Sequence, residues 1–148
     1  MGKLARSAFI AIISGVVVGC GDGDSTGPNA DSILGTWTVT KAEVISVANP
    51  STKIELVALG FTGSLVLNSN QTFTFTTTIP GESPEVSTGT YTYAAGQLTL
   101  NDTSSSPPET FSFTVALSGS TMTLTGGSVE WDFGAGEVQA TLNLTLTK

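Results

Sequence analysis

The chain has 148 residues, a formal charge of −7, charged residues at only 11% and no histidine. That length holds one core and not two. The missing histidine excludes a Ser-His-Asp or Cys-His nucleophile, a His-based zinc site and a haem ligated by His. All twelve acidic residues lie after Cys20, while Lys3 and Arg6 lie before it, so the part from Cys20 onward keeps Lys41, Lys53 and Lys148, no Arg, and a formal charge of −9. Such a surface cannot neutralise a run of phosphates, which excludes nucleic acid as a partner and a basic patch for anionic headgroups. A single Cys forms no intrachain disulfide, so the fold rests on packing.

Residues 1–6 carry two positive charges, residues 8–18 are apolar but for Ser14 and Gly15, and Val17-Val18-Gly19-Cys20 follows. A basic start, a short apolar run and a small residue before the cut form a secretory signal, and the run is too short to span a bilayer. Its end resembles the bacterial lipobox, in which the Cys after a small residue receives a diacylglycerol. The resemblance implies a signal peptide over 1–19, lipidation at Cys20 and a membrane as partner through that lipid. Two or three acyl chains hold a protein on a membrane where one does not. An ordinary signal peptide with a chance Cys is the alternative. Gly21, not Asp, follows the Cys, which favours the outer over the inner membrane of a cell envelope. Residues 21–31 are rich in Gly and Asp without apolar periodicity, and residues 20–32 read as a lipidated tether.

From Ile33 to the end at Lys148 the dominant period is two. Phe73, Phe75 and Ile79 alternate with Thr; Phe111, Phe113, Val115 and Leu117 with Ser112, Thr114 and Ala116; Val138, Ala140, Leu142, Leu144 and Leu146 with polar residues. Each is a strand with one apolar and one hydroxyl-bearing face. The punctuation predicts eight strands, at 33–47, 61–68, 71–79, 86–94, 97–101, 109–117, 120–132 and 137–147. Residues 51–59 read either as a short helix or as an irregular strand. Turns at Asn68-Ser69-Asn70, Ala94-Ala95-Gly96, Ser118-Gly119-Ser120 and Gly134-Ala135-Gly136 make each strand pair with its predecessor. The expectation is an all-β domain over 33–148, an eight-stranded antiparallel up-and-down meander closed into a barrel, with a β-sandwich as the alternative. Within 120–132 the apolar parity changes from Met122 and Leu124 to Val129, Trp131 and Phe133, which predicts a β-bulge at Gly126-Gly127.

Ile33-Leu34-Gly35-Thr36-Trp37 opens this domain. Residues 65–75, Gly89-Thr90-Tyr91-Thr92-Tyr93 and Gln97-Leu98-Thr99-Leu100 follow in order. Together these resemble the lipocalins and the lipocalin-like domain of secreted bacterial lipoproteins. The resemblance implies a calycin-type barrel with a generic binding role, with Trp37 as a plug at one end and Gly35 letting the chain pass beside it. It also implies an Arg on the last strand over that Trp, where this chain offers only Lys148, and a Thr-Asp-Tyr type motif that is missing.

An eight-stranded barrel is either nearly filled by its side chains or holds one small ligand. Alternation points Phe73, Phe75, Tyr91, Tyr93, Phe111, Phe113 and Trp131 inward, and these are the candidate ligand-binding residues. No cation shares that face, so a neutral apolar molecule is the expected ligand. A filled barrel that acts structurally or on another envelope protein is the alternative. Glu130-Trp131-Asp132 places both carboxylates on the outward parity, and no Ser has a basic partner, so no enzyme, cofactor or metal site is expected.

Overall fold

A computed structural model of the chain describes residues 29–148; the expected signal peptide, Cys20 and residues 21–28 of the tether lie outside the described residues. Nine strands appear: β1 Gly35–Ser46, β2 Lys53–Glu55, β3 Thr62–Leu67, β4 Thr72–Thr78, β5 Glu85–Ala94, β6 Gln97–Asp102, β7 Glu109–Ser118, β8 Thr121–Asp132 and β9 Glu137–Thr147. Strands β3 to β9 pair in sequence order, β1 pairs β3, and β1 also pairs β9 from Thr38↔Thr147 to Ser46↔Ala140. That last pairing closes an eight-stranded antiparallel up-and-down barrel and removes the edges a sandwich would keep. The short β2 lies beyond β3 along the same side of β1 and is additional to the eight.

The doubtful stretch 51–59 resolves into both alternatives in succession, β2 and then a 3-10 turn at Val57–Leu59. Glu55 fixes it. Its carboxylate accepts from the backbone N–H groups of Ala42 and Val57 through Oε1 and of Ala58 through Oε2. The Ala42 bond, set against burial and aided by the Ala58 and Val57 bonds, holds the carboxyl below its ordinary pKa.

Two bulges let one apolar face run round the barrel. In β8 the pairing with β9 slips between Leu124↔Leu144 and Gly127↔Leu142, the place the parity change marks. Gly126 has φ +89°, a left-handed conformation that favours glycine, and its N–H donates to Asn143 Oδ1. In β1 the slip lies between Val39↔Leu146 and Lys41↔Thr145, so Trp37 and Val39 share the inner face with Ala42 and Val44 despite the change of parity.

One end of the barrel is plugged. The end of the expected tether forms a 3-10 turn, Ala30–Ile33, capped by Asn29 Oδ1 accepting from Ser32 N, and Ile33 is fully buried. Trp37 is 1% exposed, and its Nε1 donates to Ile33 O at 2.7 Å. The β3–β4, β5–β6 and β7–β8 hairpins lie at this plugged end. The longer connections lie at the opposite mouth, which follows from the alternating strand directions.

Candidate functional site

The barrel's interior changes character along its axis. Toward the plug, Trp37, Leu65, Leu67, Leu98, Met122, Leu124 and Leu146 are essentially without solvent contact. Toward the mouth, Ile79, Phe111, Phe133 and Leu142 are only partly buried against that core, as is Phe75 at mid-height opposite Leu65. Among the described residues, the exposed large apolar side chains Val47, Leu59, Val86 and Val138 also lie at or beside the mouth. The side chains packed on Trp37 are therefore shut off from solvent, while at the mouth Phe111, Phe133 and Val138 keep apolar surface open beside the buried Val44, Phe61 and Trp131.

The plug carries the one late cation. Lys148 Nζ lies 4.7 Å from the centre of the Trp37 ring and donates to Leu34 O. A lysine thus stands where the resemblance implies an arginine, a cation on the aromatic face worth about 0.5–1 kcal/mol at an exposed site. Gly35 is needed beneath it: with φ +113°, its missing Cβ would lie 2.8 Å from Lys148 Cε.

The seven aromatic candidates divide along the same axis. Phe73 and Tyr91 are buried, and Phe73 lies in the plugged half, opposite Leu67. Tyr91 is tied there, its hydroxyl donating to Asn68 O at 2.8 Å and its N–H to Gln71 O at 2.8 Å. Burial holds the hydroxyls of Tyr91 and Tyr93 above the ordinary tyrosine pKa. Both rings line a cleft of about 230 Å³ with Asp31, Leu34 and Gln71 at the plugged end, outside the barrel's axis. That is smaller than the usual range for a site that encloses a small molecule, about 300–1,000 Å³. Phe111 faces the mouth half-buried, Phe75 is half-buried at mid-height opposite Leu65, and Phe113 is buried with its ring against the Gly127 backbone. Trp131 is 6% exposed, and its Nε1 has no hydrogen-bond partner among the described residues.

Sequence reasoning missed the buried Ser46 and an inward charged residue, Asp102. It follows Leu98 and Leu100 on the same parity and is 2% exposed near the mouth. Its Oδ1 accepts from Ser104 N at 2.8 Å and from the Ser104 hydroxyl, and its Oδ2 from Ser105 Oγ at 2.9 Å. Burial raises its pKa, but these bonds, with one from the Ser87 hydroxyl, outweigh it and leave the carboxyl below its ordinary value. The carboxylate orders the β6–β7 loop and adds negative charge at the mouth. The other cations of the described residues are engaged elsewhere, Lys41 and Lys53 both pairing with Glu43 at 3.2 and 3.5 Å.

Of the Glu130-Trp131-Asp132 cluster, Asp132 serves the turn that follows it. Asp132 Oδ1 accepts from Gly134 N at 2.7 Å and Gly136 N at 2.9 Å, closing the β8–β9 turn, and those bonds hold its carboxyl below the ordinary range.

Compared with known families, the chain matches the lipocalin-like domain over residues 33–124, more than half of its length. The match begins at the buried Ile33 of the plug and ends just before the bulge in β8. Among curated proteins no match is found.

Proposed function

The chain belongs to the lipocalin-like domain family, and from that premise we propose that it is an envelope lipoprotein whose barrel binds one small, uncharged, apolar molecule at its mouth. The observation that carries this reading is the contrast between the side chains shut off from solvent around Trp37 and the half-buried Phe111 and Phe133 of the mouth, with Phe75 half-buried at mid-height. Apolar surface left open in a concave place gains free energy when a ligand covers it, at about 25 cal/mol per Å². No lysine among the described residues serves the mouth, and the buried Asp102 lies there, so an anionic head would meet no counter-charge.

A neutral fluorescent probe of apolar sites, Nile red, is expected to bind the purified full chain saturably and one to one. Its affinity should change little between low and high salt, since no ion pair is there to be screened. Phe75→Asp should abolish that binding while the β-type circular dichroism is kept. A folded wild type that takes up no probe and carries no co-purified molecule would leave the second reading, a filled barrel acting on another envelope protein through its acidic, Thr-rich exterior. The packing of the plugged half favours that alternative.

Anchoring belongs to the same proposal. Cys20 in its lipobox-like setting would carry the lipid, at the outer membrane in preference to the inner. The described chain begins at Asn29, beside the plug. Nine residues from Cys20 to that point reach at most about 30 Å. The plug would then lie nearer the membrane and the mouth farther from it. Cys20→Ser should move the protein from the membrane to the soluble fraction or stall its processing. A variant that still reached mature size and needed detergent would remove the lipid from the account.

A further inference from the structure

The two tryptophans of the barrel differ in one respect. Trp37 Nε1 donates to Ile33 O, whereas Trp131 Nε1, equally shut off from solvent, donates to nothing among the described residues. An indole N–H is a donor only, and a buried donor left unmet is costly enough that folded proteins rarely keep one. A water trapped there would need two to four polar partners of its own. The neighbouring inward residues on β8 and β9 are Gly127, Val129, Phe133, Val138 and Ala140, none with a polar side chain, and the nearest on β1 is Ser46, opposite Ala140, whose Oγ accepts from Asn49 N.

The barrel wall next to Trp131 is split. Strands β7 and β8 pair only from Thr114↔Thr125 to Ser118↔Thr121. Nearer the mouth, residues 109–113 pair with β6 alone, and residues 127–132 with β9 alone. The bulge at Gly126 turns β8 away from its neighbour, and the Phe113 ring lies over Gly127 at the foot of the gap. Trp131 stands on one lip of this split, with Phe111 and Phe113 on the other. The donor without a partner, the half-buried Phe111 and the buried Phe113 therefore all lie on the two strands that flank the break in the ladder.

We infer that the Trp131 indole N–H is the polar anchor of the bound molecule, which carries an uncharged acceptor oxygen, as in an ester, ketone or ether, on an apolar body seated at the β7–β8 split. The inference rests on the binding reading above and narrows its ligand class. A pure hydrocarbon leaves the donor unmet. A carboxylate meets it but must enter an apolar mouth that holds the Asp102 carboxylate and none of the three lysines of the described residues. A neutral acceptor satisfies both conditions. Tyr93 Oη, the other buried side-chain polar atom without a partner among the described residues, belongs to a side chain on the plugged-end cleft and is not required.

The test compares three competitors of similar length, methyl decanoate, the decanoate anion and undecane, as displacers of Nile red from the full-length protein. The ester should displace the probe at about tenfold lower concentration than the alkane, the factor that one well-made hydrogen bond confers, and the anion should be weaker than the ester. In Trp131→Phe the ester-to-alkane ratio should fall to about one. On wild-type protein labelled with ¹⁵N at the indoles, the ester should move the Trp131 N–H signal downfield and leave that of Trp37 in place. This second readout does not depend on the variant's folding. Equal displacement by ester and alkane, a ratio that survives in Trp131→Phe, or an unmoved Trp131 signal in the ester-saturated protein overturns the inference while probe binding stands. A wild type that binds neither probe nor competitor overturns the binding reading as well.

Discussion

Trp37→Ala is expected to remove about 3–5 kcal/mol of stability, the usual cost of truncating a large buried aromatic. For a domain whose whole stability is about 5–15 kcal/mol, that approaches unfolding. Three losses coincide at this residue. The ring is 1% exposed and fills the plugged end, so its removal leaves a cavity that the surrounding leucines cannot close without moving strands. Ile33 O loses the donor that ties the 3-10 turn to the barrel. Lys148 loses the aromatic face beneath it, and with that the last strand loses part of its seat on Leu34. The urea midpoint should fall strongly with the slope unchanged, which marks lost stability rather than a changed unfolded state. Thr90→Ala, at an exposed position on β5, provides the reference and should shift the midpoint by no more than about 0.5 kcal/mol equivalent. A Trp37→Ala midpoint within the range of Thr90→Ala would show that the plug carries no load.

The barrel was legible because its strands alternate cleanly, and each boundary of the eight barrel strands falls within two residues of the one read from the punctuation. The bulge of β8 was legible too, because two glycines sit where the apolar parity reverses. The bulge of β1 leaves the same kind of trace, from Trp37 and Val39 to Ala42 and Val44, but a small alanine among polar neighbours makes that reversal faint. Asp102 was missed because an acid on the inward parity contradicts the hydrophobic pattern. What makes it tolerable is a set of serine donors from β5 and from the loop after β6, and pairing of that kind has no period to read. Lys148 was visible only as the last cation; its place on Trp37 depends on how the closing strands shear past one another. The candidate site was legible as an inward face and no further. Alternation cannot say that Tyr91 is tied at the plug, that the mouth half stays open, or that Trp131 lacks a partner, since all three depend on barrel radius and on the break between β7 and β8.

The glycine pair in β8 offers a sharp test of that break, because its two members are glycines for different reasons. Gly126 has φ +89° and open space where a Cβ would stand, so Gly126→Ala costs only backbone strain, about 1–2 kcal/mol. Gly127 is not in the left-handed region, yet a Cβ there would lie 2.2 Å from Cε1 and 2.7 Å from Cζ of Phe113. Gly127→Ala is therefore purely a packing insult, and overpacking a buried site costs about 1–3 kcal/mol, with Gly127→Val costing more. Phe113 is itself buried and cannot simply swing away. Shortening it should relieve the clash: in a cycle of Gly127→Ala with Phe113→Leu, the double variant should be more stable than the sum of the singles by about 0.5–3 kcal/mol. The parallel cycle of Gly126→Ala with Phe113→Leu should be additive within about 0.5 kcal/mol, since the Gly126 Cβ would touch nothing. Urea unfolding of the six proteins measures both couplings under one set of conditions. An additive Gly127 cycle would mean that the Phe113 ring does not rest on β8 at the foot of the split, and the mouth would then have a different shape from the one described. A coupled Gly127 cycle beside an additive Gly126 cycle places the ring on that glycine, on the floor of the gap where Trp131 waits for an acceptor.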